Sequence, residues 1–262
     1  MTGSSAVSRY QYAAPARNEE RVGIVVQARM GSSRLPGKVL IPIRGKPLLR
    51  RLCNRIGICR RIDCVVVATT DCAADQVIED NCVAWGVPIF RGSEQDVLKR
   101  LLRAGQAYGL TALVRVTADN PLTDPEGIDE LIQLLQESKP GLVHSNHRMG
   151  YPYGTGAEVI SMSAMEIIDR EAASKFDREH VTSFAHRDPK RFTCIKLNAP
   201  PELLRPQYFL SADYPEDIRL LDAVYLHFGG RDDVPLQDIV NFLDSEPSLC
   251  RINSHLHQQF SE

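Results

Sequence analysis

The segment from Gln27 to Lys38, QARMGSSRLPGK, combines glycines, serines and three cations directly after an apolar run. The apolar run, residues 22–26, is typical of a buried strand. Glycines let the backbone approach an anion closely, and successive N–H groups can then point at that anion. Arg29, Arg34 and Lys38 add charge that persists at neutral pH. The segment therefore predicts a loop that binds the phosphates of a nucleotide.

This segment matches neither of two common phosphate-binding motifs. A Walker A loop places four residues between its first glycine and a Gly-Lys-Ser/Thr triplet. Here five residues separate Gly31 from Gly37, and Val39 follows Lys38, so the magnesium-binding hydroxyl has no counterpart. The dinucleotide fingerprint G-x-G-x-x-G is also absent. An ordinary surface loop with solvated cations stays open as the alternative interpretation.

The cations of the chain are concentrated near this segment. Residues 29–62 contain ten Lys or Arg and no Asp or Glu, although the net charge of the chain is only −2. Such a patch suits a polyanion such as a triphosphate, whereas the near-zero total disfavours non-specific binding to nucleic acid or membranes. RNA binding is further disfavoured because no aromatic residues are interleaved with the cations. Five of these cations fall on a predicted amphipathic helix, where we interpret them as solvated: Arg50, Arg51, Arg55, Arg60 and Arg61.

Length and composition predict one α/β domain. The 262 residues, with 43% hydrophobic and 24% charged residues, are enough for a well-buried core. We expect a flexible tail over residues 1–20 and a single domain over 21–262. Seven cysteines without a C-x-x-C pair indicate a reduced, cytoplasmic protein. No apolar run approaches the length of a membrane span.

Strand-like and helix-like segments alternate along the chain, which predicts a mostly parallel sheet covered by helices. Strands are predicted at 22–26, 63–69, 87–90, 111–117 and 141–144, with strand pieces near 157–161, 193–198 and 208–211. Helices are predicted from Pro47 and at 75–84, 94–108, 125–138, 163–173, 178–187, 215–228 and 235–244. Gly86 and Gly109 stand where they would end two of these helices.

Ligands of open α/β sheets bind beyond the carboxyl ends of the strands. The 28–38 loop, residues 69–71 and residues 118–120 all lie there, so we expect them to converge. Asp119 follows a strand, and Asp213 likewise stands between a strand-like run and a helix. The two carboxylates could share one Mg²⁺ ion, which prefers oxygen ligands, or each could be a turn or helix-capping residue. For Asp217 we favour a charge at a helix N-terminus.

The phosphate-loop segment resembles the opening signature of the SpsF-type cytidylyltransferases, relatives of the CMP-sialic acid and CMP-Kdo synthetases. Further segments resemble motifs of the same family in the same order, over residues 22 to about 253. They are VVATTD at 66–71, FRGSEQDVL at 90–98, RVTADNPL at 115–122, DREHVT at 177–182 and DYPED at 213–217.

The resemblance implies a three-layer α/β/α nucleotide-diphospho-sugar-transferase fold, Rossmann-like, with a mostly parallel mixed sheet. It also implies CTP as substrate, Mg²⁺ as cofactor, a homodimer, and transfer of CMP to an anionic acceptor with release of pyrophosphate. Carried over by position, Arg29, Lys38 and Asp119 would be catalytic, and Asp119 and Asp213 would hold the metal. The nucleotide would contact Gln27, Ala28, Arg29, Gly31, Ser32, Lys38, Thr69, Arg91 and Asp96.

The acceptor side departs from the family pattern. Relatives often have Pro-Asp-Gly-x-Asp-x-Glu where this chain has PYGTGAE at 152–158, so Tyr153 and Gly156 replace two acidic residues. Acceptor binding is assigned to Glu158, Glu179 and His180, with a structural role for His180 as the alternative. A nonulosonic acid is the acceptor that the family implies, and a phosphonate or another small acid is the alternative.

Three other functions stay open at this point. A glycosyltransferase of the same fold would consume a nucleotide sugar instead of CTP. A non-catalytic nucleotide-binding protein could have lost Arg29, Lys38, Asp119 and Asp213, which this chain retains. An interaction module would not respond to nucleotide with a higher melting temperature.

Overall fold

A computed structural model of the chain describes residues 20–138 and 141–257. All but the last residue of the predicted N-terminal tail lies outside these described residues. The nine strands of the described part are β1 (Val22–Gln27), β2 (Pro42–Ile43), β3 (Lys46–Pro47), β4 (Cys64–Thr70), β5 (Ile89–Gly92), β6 (Ala112–Thr117), β7 (Leu142–His144), β8 (Glu158–Ser161) and β9 (Cys194–Lys196).

Ten α-helices connect or flank these strands in the described part of the chain. They are α1 (Leu48–Ile56), α2 (Gln76–Trp85), α3 (Val97–Ala107), α4 (Pro125–Ser138), α5 (Met162–Glu171), α6 (Lys175–His180), α7 (Ser183–Arg187), α8 (Pro215–His227), α9 (Leu236–Ser245) and α10 (Pro247–Cys250).

Seven strands form one mixed sheet in the order β5-β4-β1-β6-β8-β7-β9. The pairs β4–β5, β1–β4, β1–β6 and β7–β9 are parallel, whereas β8 runs antiparallel to both β6 and β7. The short strands β2 and β3 form a separate hairpin. The predicted mostly parallel mixed sheet is therefore confirmed.

Alternate residues of the central strands face opposite layers of helices. Ile24 and Val26 of β1 pack in one hydrophobic cluster with α1, α2 and α4, while Val25 packs in a second cluster with α3 and α5. Because both faces of the sheet are covered, its central strands are continuous apolar runs rather than alternating ones. The result is the three-layer α/β/α architecture that the resemblance implies.

Two of the predicted elements differ from the observed ones. The predicted helix at 178–187 is divided into α6 and α7 at Val181, whose φ of 45° is incompatible with a helix. Residues 208–211 form no strand, and only an isolated bridge joins Phe209 to Tyr153. The segment that leads to Asp213 therefore lacks the support of a sheet.

Two of the five cations interpreted as solvated are buried, and that interpretation is wrong for them. The Arg51 guanidinium lies over the Tyr225 ring and binds Asp232 at 2.6 Å. Arg55 donates to the carbonyl oxygens of Thr123 and Val234 at 2.8 and 2.6 Å. Both arginines are buried because loop carbonyl groups packed against α1 need donors that water does not reach.

All seven cysteines lie within the described residues, and no disulfide joins any of them. Among the helices of the described residues, none combines the length and the apolarity that crossing a bilayer requires.

Candidate active site

Lys38 lies at the end of the predicted phosphate loop, in a single 3₁₀ turn that follows Gly37. Gly37 has a φ of 70°, a conformation that side-chain-bearing residues rarely adopt. Its N–H donates to the carbonyl oxygen of Met30 at 3.0 Å, which closes the loop on itself. The turn directs the Lys38 side chain inward, where the residue is only 9% exposed.

The Lys38 ammonium joins the two predicted metal ligands. Its Nζ lies 2.6 Å from Oδ2 of Asp119 and 2.8 Å from Oδ1 of Asp213. Asp119 follows β6, and Asp213 precedes α8. The N–H of Ala212 also donates to the carbonyl oxygen of Asp119 at 2.8 Å, which fixes the two loops to each other. Three segments far apart in sequence thus meet at one nitrogen.

A guanidinium completes the charge balance of this cluster. Arg34 Nη2 donates to Oδ1 of Asp213 at 2.8 Å, and the guanidinium lies 5.4 Å from the centre of the Tyr214 ring. Burial by itself lowers the pKa of Lys38, but Asp119 and Asp213 outweigh it and raise that pKa above the ordinary value. The cluster therefore contains two cations and two carboxylates, all held by charge-assisted hydrogen bonds.

The donor set of this cluster fits a magnesium ion. Carboxylate oxygens of Asp119 and Asp213 converge on a single cation already, the ammonium of Lys38. Mg²⁺ takes one or two carboxylates and completes its shell with water and substrate phosphates. Within residues 20–138 and 141–257, no group of three or more His, Cys, Asp or Glu side chains could hold a metal. A metal bound here would therefore depend on oxygen atoms from a ligand.

A cavity of about 210 Å³ opens beside the cluster. It lies at the carboxyl ends of β1 and β6, where open α/β sheets bind their ligands. Six residues predicted for nucleotide binding or catalysis line it: Gln27, Arg29, Gly31, Ser32, Lys38 and Asp119. The structure thus brings together the phosphate loop and the first predicted metal ligand around one space.

Ala28 and Thr69, which were predicted to contact the nucleotide, do not line this cavity. Ala28 is buried, and its N–H donates to the carbonyl oxygen of Ala68 at 3.2 Å. Thr69 is fully buried, and its hydroxyl donates to Asp75 at 3.1 Å. The backbone of Ala28 and the side chain of Thr69 therefore make hydrogen bonds within the fold next to the loop.

Asp75 is a supporting residue that the sequence analysis missed. Its carboxylate accepts hydrogen bonds from the hydroxyl of Thr69 and from the backbone N–H groups of Thr70 and Met30, the last at 2.7 Å. Asp75 thereby fixes the phosphate loop to the end of β4. A signal for this role exists in the sequence, since an acidic residue shortly after two threonines at a strand end can accept from both.

Arg91 lies away from the cavity. Its guanidinium binds Glu79 at 2.9 Å and donates to the carbonyl oxygens of Thr70 and Cys72. These contacts occupy the group on the outer side of β5. Arg91 does not line the cavity beside Lys38.

Asp96 and Glu179 share a second cavity of about 590 Å³. Glu179 lies 3.9 Å from the Arg29 guanidinium, and Arg29 lines both this cavity and the first one. Asp96 caps α3 and binds Arg178 through both oxygens, at 2.9 and 2.6 Å. The two residues were predicted to contact different substrates, whereas the structure places them in one wall.

His180 is exposed at the end of α6, and its ring lies 4.3 Å from the ring of Phe176. It lines neither the first nor the second cavity. This position favours the structural alternative for His180.

Glu158 lines a third cavity of about 170 Å³ on the other side of β6. Thr117 lines both this cavity and the first one, so the two adjoin. Glu158 binds Arg115 at 2.7 Å and accepts from the Thr182 hydroxyl at 2.9 Å. Burial raises the pKa of Glu158, but Arg115 and the hydrogen bonds outweigh it and lower the pKa to about 2.

The two departures from the family pattern, Tyr153 and Gly156, line this same third cavity. The Tyr153 ring lies 5.3 Å from the ring of His147, which also faces the cavity. A Cβ atom on Gly156 would lie 2.2 Å from the carbonyl oxygen of Ser145. An aspartate at this position would therefore require a different backbone, so the altered cavity is part of the local fold.

Comparison with solved structures agrees with the observed architecture. A cytidylyltransferase from Leptospira borgpetersenii serovar Hardjo-bovis superposes with a TM-score of 0.83 and 27% sequence identity, covering 88% of this chain and 97% of that one. A CMP:2-keto-3-deoxy-manno-octonic acid synthetase complexed with CTP shares the fold, with a TM-score of 0.59 at 16% identity, over 80% of this chain and all of that one.

Sequence comparison points the same way. The spore coat polysaccharide biosynthesis protein SpsF of Bacillus subtilis is 34% identical to this chain, covering 86% of this chain and 95% of that protein. A family model described as cytidylyltransferase matches residues 23–227. With the fold, the phosphate loop and the two carboxylates already in place, this match establishes that the chain belongs to the cytidylyltransferase family.

Proposed function

We propose that the protein transfers CMP from CTP to a small anionic acceptor, with Mg²⁺ as cofactor and with release of pyrophosphate. The observation that carries this proposal is the convergence of Asp119 and Asp213 on the Lys38 ammonium, at 2.6 and 2.8 Å. This cluster borders a cavity lined by a glycine- and serine-rich loop with two more cations. It offers carboxylates to a metal and cations to a triphosphate within one small space.

The residues of the chain would act mainly by positioning and by charge. Lys38, Arg34 and Arg29 would bind phosphate oxygens, and N–H groups of the loop would add neutral donors. Asp119 and Asp213 would hold the magnesium ion, which when bound neutralises charge on the phosphates. In the reaction, an anionic oxygen of the acceptor bonds to the α-phosphorus of CTP while the bond between that phosphorus and the oxygen that bridges to the β-phosphorus breaks, and pyrophosphate leaves. The loop cations would stabilise the charge that develops on this leaving group.

The three adjoining cavities suggest where the two substrates bind. We assign the nucleoside to the 590 Å³ cavity beside β5 and α3, and the acceptor to the 170 Å³ cavity beside β6 and β8. The reacting phosphate would then lie between them, in the cavity next to Lys38. Under this assignment Glu158 stays an acceptor-side residue, whereas Glu179 moves to the nucleoside side.

The lining of the acceptor cavity supports an acceptor that differs from the one that the family implies. Its charged lining residues, Arg115 and Glu158, neutralise each other, and Asn120, His147 and Tyr153 provide neutral polar or aromatic surfaces. We therefore favour a small acid such as a phosphonate over a nonulosonic acid. The anionic group of the acceptor would be directed toward the cations of the phosphate loop.

A substrate panel tests this proposal. The full-length protein with Mg²⁺ is incubated with CTP or UTP and with a set of nonulosonic acids, phosphonates and other small acids, and pyrophosphate is measured. We expect pyrophosphate release with CTP and at least one acceptor, and none with Asp119→Asn. Consumption of a nucleotide sugar without pyrophosphate release would overturn the proposal and favour the glycosyltransferase. Sedimentation of the same preparation tests the homodimer that the family resemblance implies.

A further inference from the structure

Asp213 is held in place by a second carboxylate beneath it. The N–H groups of Asp213 and Tyr214 both donate to Oδ2 of Asp217, each at 2.8 Å. Asp217 lies in the first turn of α8, as predicted, and it is fully buried there. Its carboxylate therefore sets the backbone path on which the Asp213 side chain depends.

The other oxygen of Asp217 is bound by the C-terminal segment. Asn253 Nδ2 donates to Oδ1 of Asp217 at 2.8 Å, and His257 Nε2 lies 3.0 Å from the same oxygen. An ionised carboxylate has no proton to donate and can only accept hydrogen bonds, so Nε2 of His257 acts as the donor. A continuous set of hydrogen bonds thus runs from residues 253–257 through Asp217 to the backbone of Asp213.

The same C-terminal residues also hold the segment before Asp213. The His257 ring stacks on the Phe209 ring at 4.5 Å with an interplanar angle of 11°. Asn253 donates a second hydrogen bond to the carbonyl oxygen of Phe209 at 2.8 Å. Residues 208–211 form no strand, so these contacts replace part of the support that a sheet would provide. Asn253 and His257 therefore contact the 209–214 segment directly at Phe209 and hold its other end through Asp217.

We propose that Asn253 and His257 are positioning residues for Asp213, so that the C-terminal segment sets the geometry of the metal–triphosphate site. This inference rests on the proposed function, because it assumes that Asp213 is a metal ligand. Neither residue lines the three cavities described above, and each acts through Asp217 and Phe209. Metal coordination tolerates displacements of only about 0.5 Å, so loss of either contact weakens the site before it unfolds the domain.

Metal binding separates this role from a purely structural one. Mn²⁺ binding to the full chain with CTP is titrated by electron paramagnetic resonance in wild type, His257→Ala, His257→Gln and Asn253→Ala. We expect about a 10-fold loss of Mn²⁺ affinity in the two alanine variants, the effect typical of residues that orient metal ligands. His257→Gln should recover most of the affinity, because its amide can donate to Asp217 as Nε2 does.

A destabilised control variant shows whether a lower melting temperature by itself lowers the affinity for Mn²⁺. Met165 is fully buried on α5, in a hydrophobic cluster that contains no phosphate-loop residue, so Met165→Ala lowers the melting temperature without touching Asp217. It should bind Mn²⁺ with wild-type affinity. Alanine variants that fold and bind Mn²⁺ like wild type would overturn the inference, and if His257→Ala does not fold, Asn253→Ala decides. A wild type that binds no Mn²⁺ in the presence of CTP would overturn the proposed metal site as well.

Discussion

The Nζ atom of Lys38 lies 2.6 Å from Oδ2 of Asp119, in the space between the two carboxylates that would hold a magnesium ion. An ammonium and a divalent cation cannot share this space, because both need the same carboxylate oxygens and their charges repel each other. The phosphates of a bound nucleotide would give Lys38 other partners. Metal and nucleotide should therefore bind together, with Lys38 moving from the carboxylates to the triphosphate as they do.

Removing the Lys38 ammonium should separate metal binding from catalysis. We expect Lys38→Ala to lower kcat about 10²-fold or more, the scale of losing one preorganised donor. The same variant should bind Mn²⁺ more tightly than wild type in the absence of nucleotide, because Asp119 then loses its ammonium partner and Asp213 keeps only Arg34. Steady-state kinetics and Mn²⁺ titration measure the two effects. Turnover close to wild type would remove Lys38 from the mechanism.

Neutralising Asp119 should abolish Mg²⁺-dependent activity. Asp119→Asn keeps the side-chain volume but removes one of the two charged ligands, and it leaves Lys38 with Asp213 alone. Asp80→Asn is the matched control, since Asp80 is an exposed aspartate on α2. Pyrophosphate release and Mn²⁺ titration provide the measurements. Undiminished metal affinity in Asp119→Asn would mean that the ion binds elsewhere.

Adding a methyl group at Gly156 should destabilise the protein and distort the acceptor cavity. The new Cβ atom would lie 2.2 Å from the carbonyl oxygen of Ser145, so backbone must move. We expect Gly156→Ala to cost about 1–3 kcal/mol of unfolding free energy, as overpacking does. Gly141→Ala is the control, because the nearest atoms to its Cβ are at 3.6 Å. Equal melting temperatures for the two variants would contradict the prediction.

The buried ring of His144 should make stability depend on pH. Burial, followed by the nearby His186, lowers the pKa of His144 from 6.5 to about 4. Between pH 6.5 and 4 the unfolded chain binds this proton and the folded chain does not, so His144 makes stability fall as the pH falls through this range. The loss amounts to at most about 3 kcal/mol.

Chemical denaturation of wild type and His144→Gln across this range measures the effect. The difference between the unfolding free energies of the two proteins at pH 7 gives the effect of the substitution apart from proton binding. Relative to that value, the variant should lose less stability than wild type on acidification. Parallel pH profiles for the two proteins would show that His144 does not contribute.

Local signals in the sequence determined most of the secondary structure. The apolar runs of β1 and β4 predict buried strands because both faces of the sheet are covered. Gly86 ends α2 at a φ of 68°, as a glycine in that position predicts. These signals depend on residues that are close together in the chain, so they can be recognised from a single sequence without the tertiary structure. Val181 is one exception, since its positive φ ends α6 although no local pattern in the sequence favours that conformation for a β-branched residue.

Several residues of the candidate site could also be predicted from the sequence, because binding phosphate and metal requires particular residue types. Gly31, Lys38, Asp119 and Asp213 were identified from residue type, position after strands and resemblance to one family. The contact between Lys38 and Asp119 is consistent with the rule that strand ends in an open sheet share an edge, whereas Asp213 follows a segment that forms no strand.

Only the tertiary structure decided which partners the charged groups have. Asp96 binds Arg178, Arg55 binds loop carbonyl groups, and Asp217 is bound by Asn253 and His257. The partners in these contacts are separated by tens to more than a hundred residues. A sequence shows that a residue is charged, but whether it faces water, substrate or a buried partner depends on how distant elements pack, and no local pattern records that.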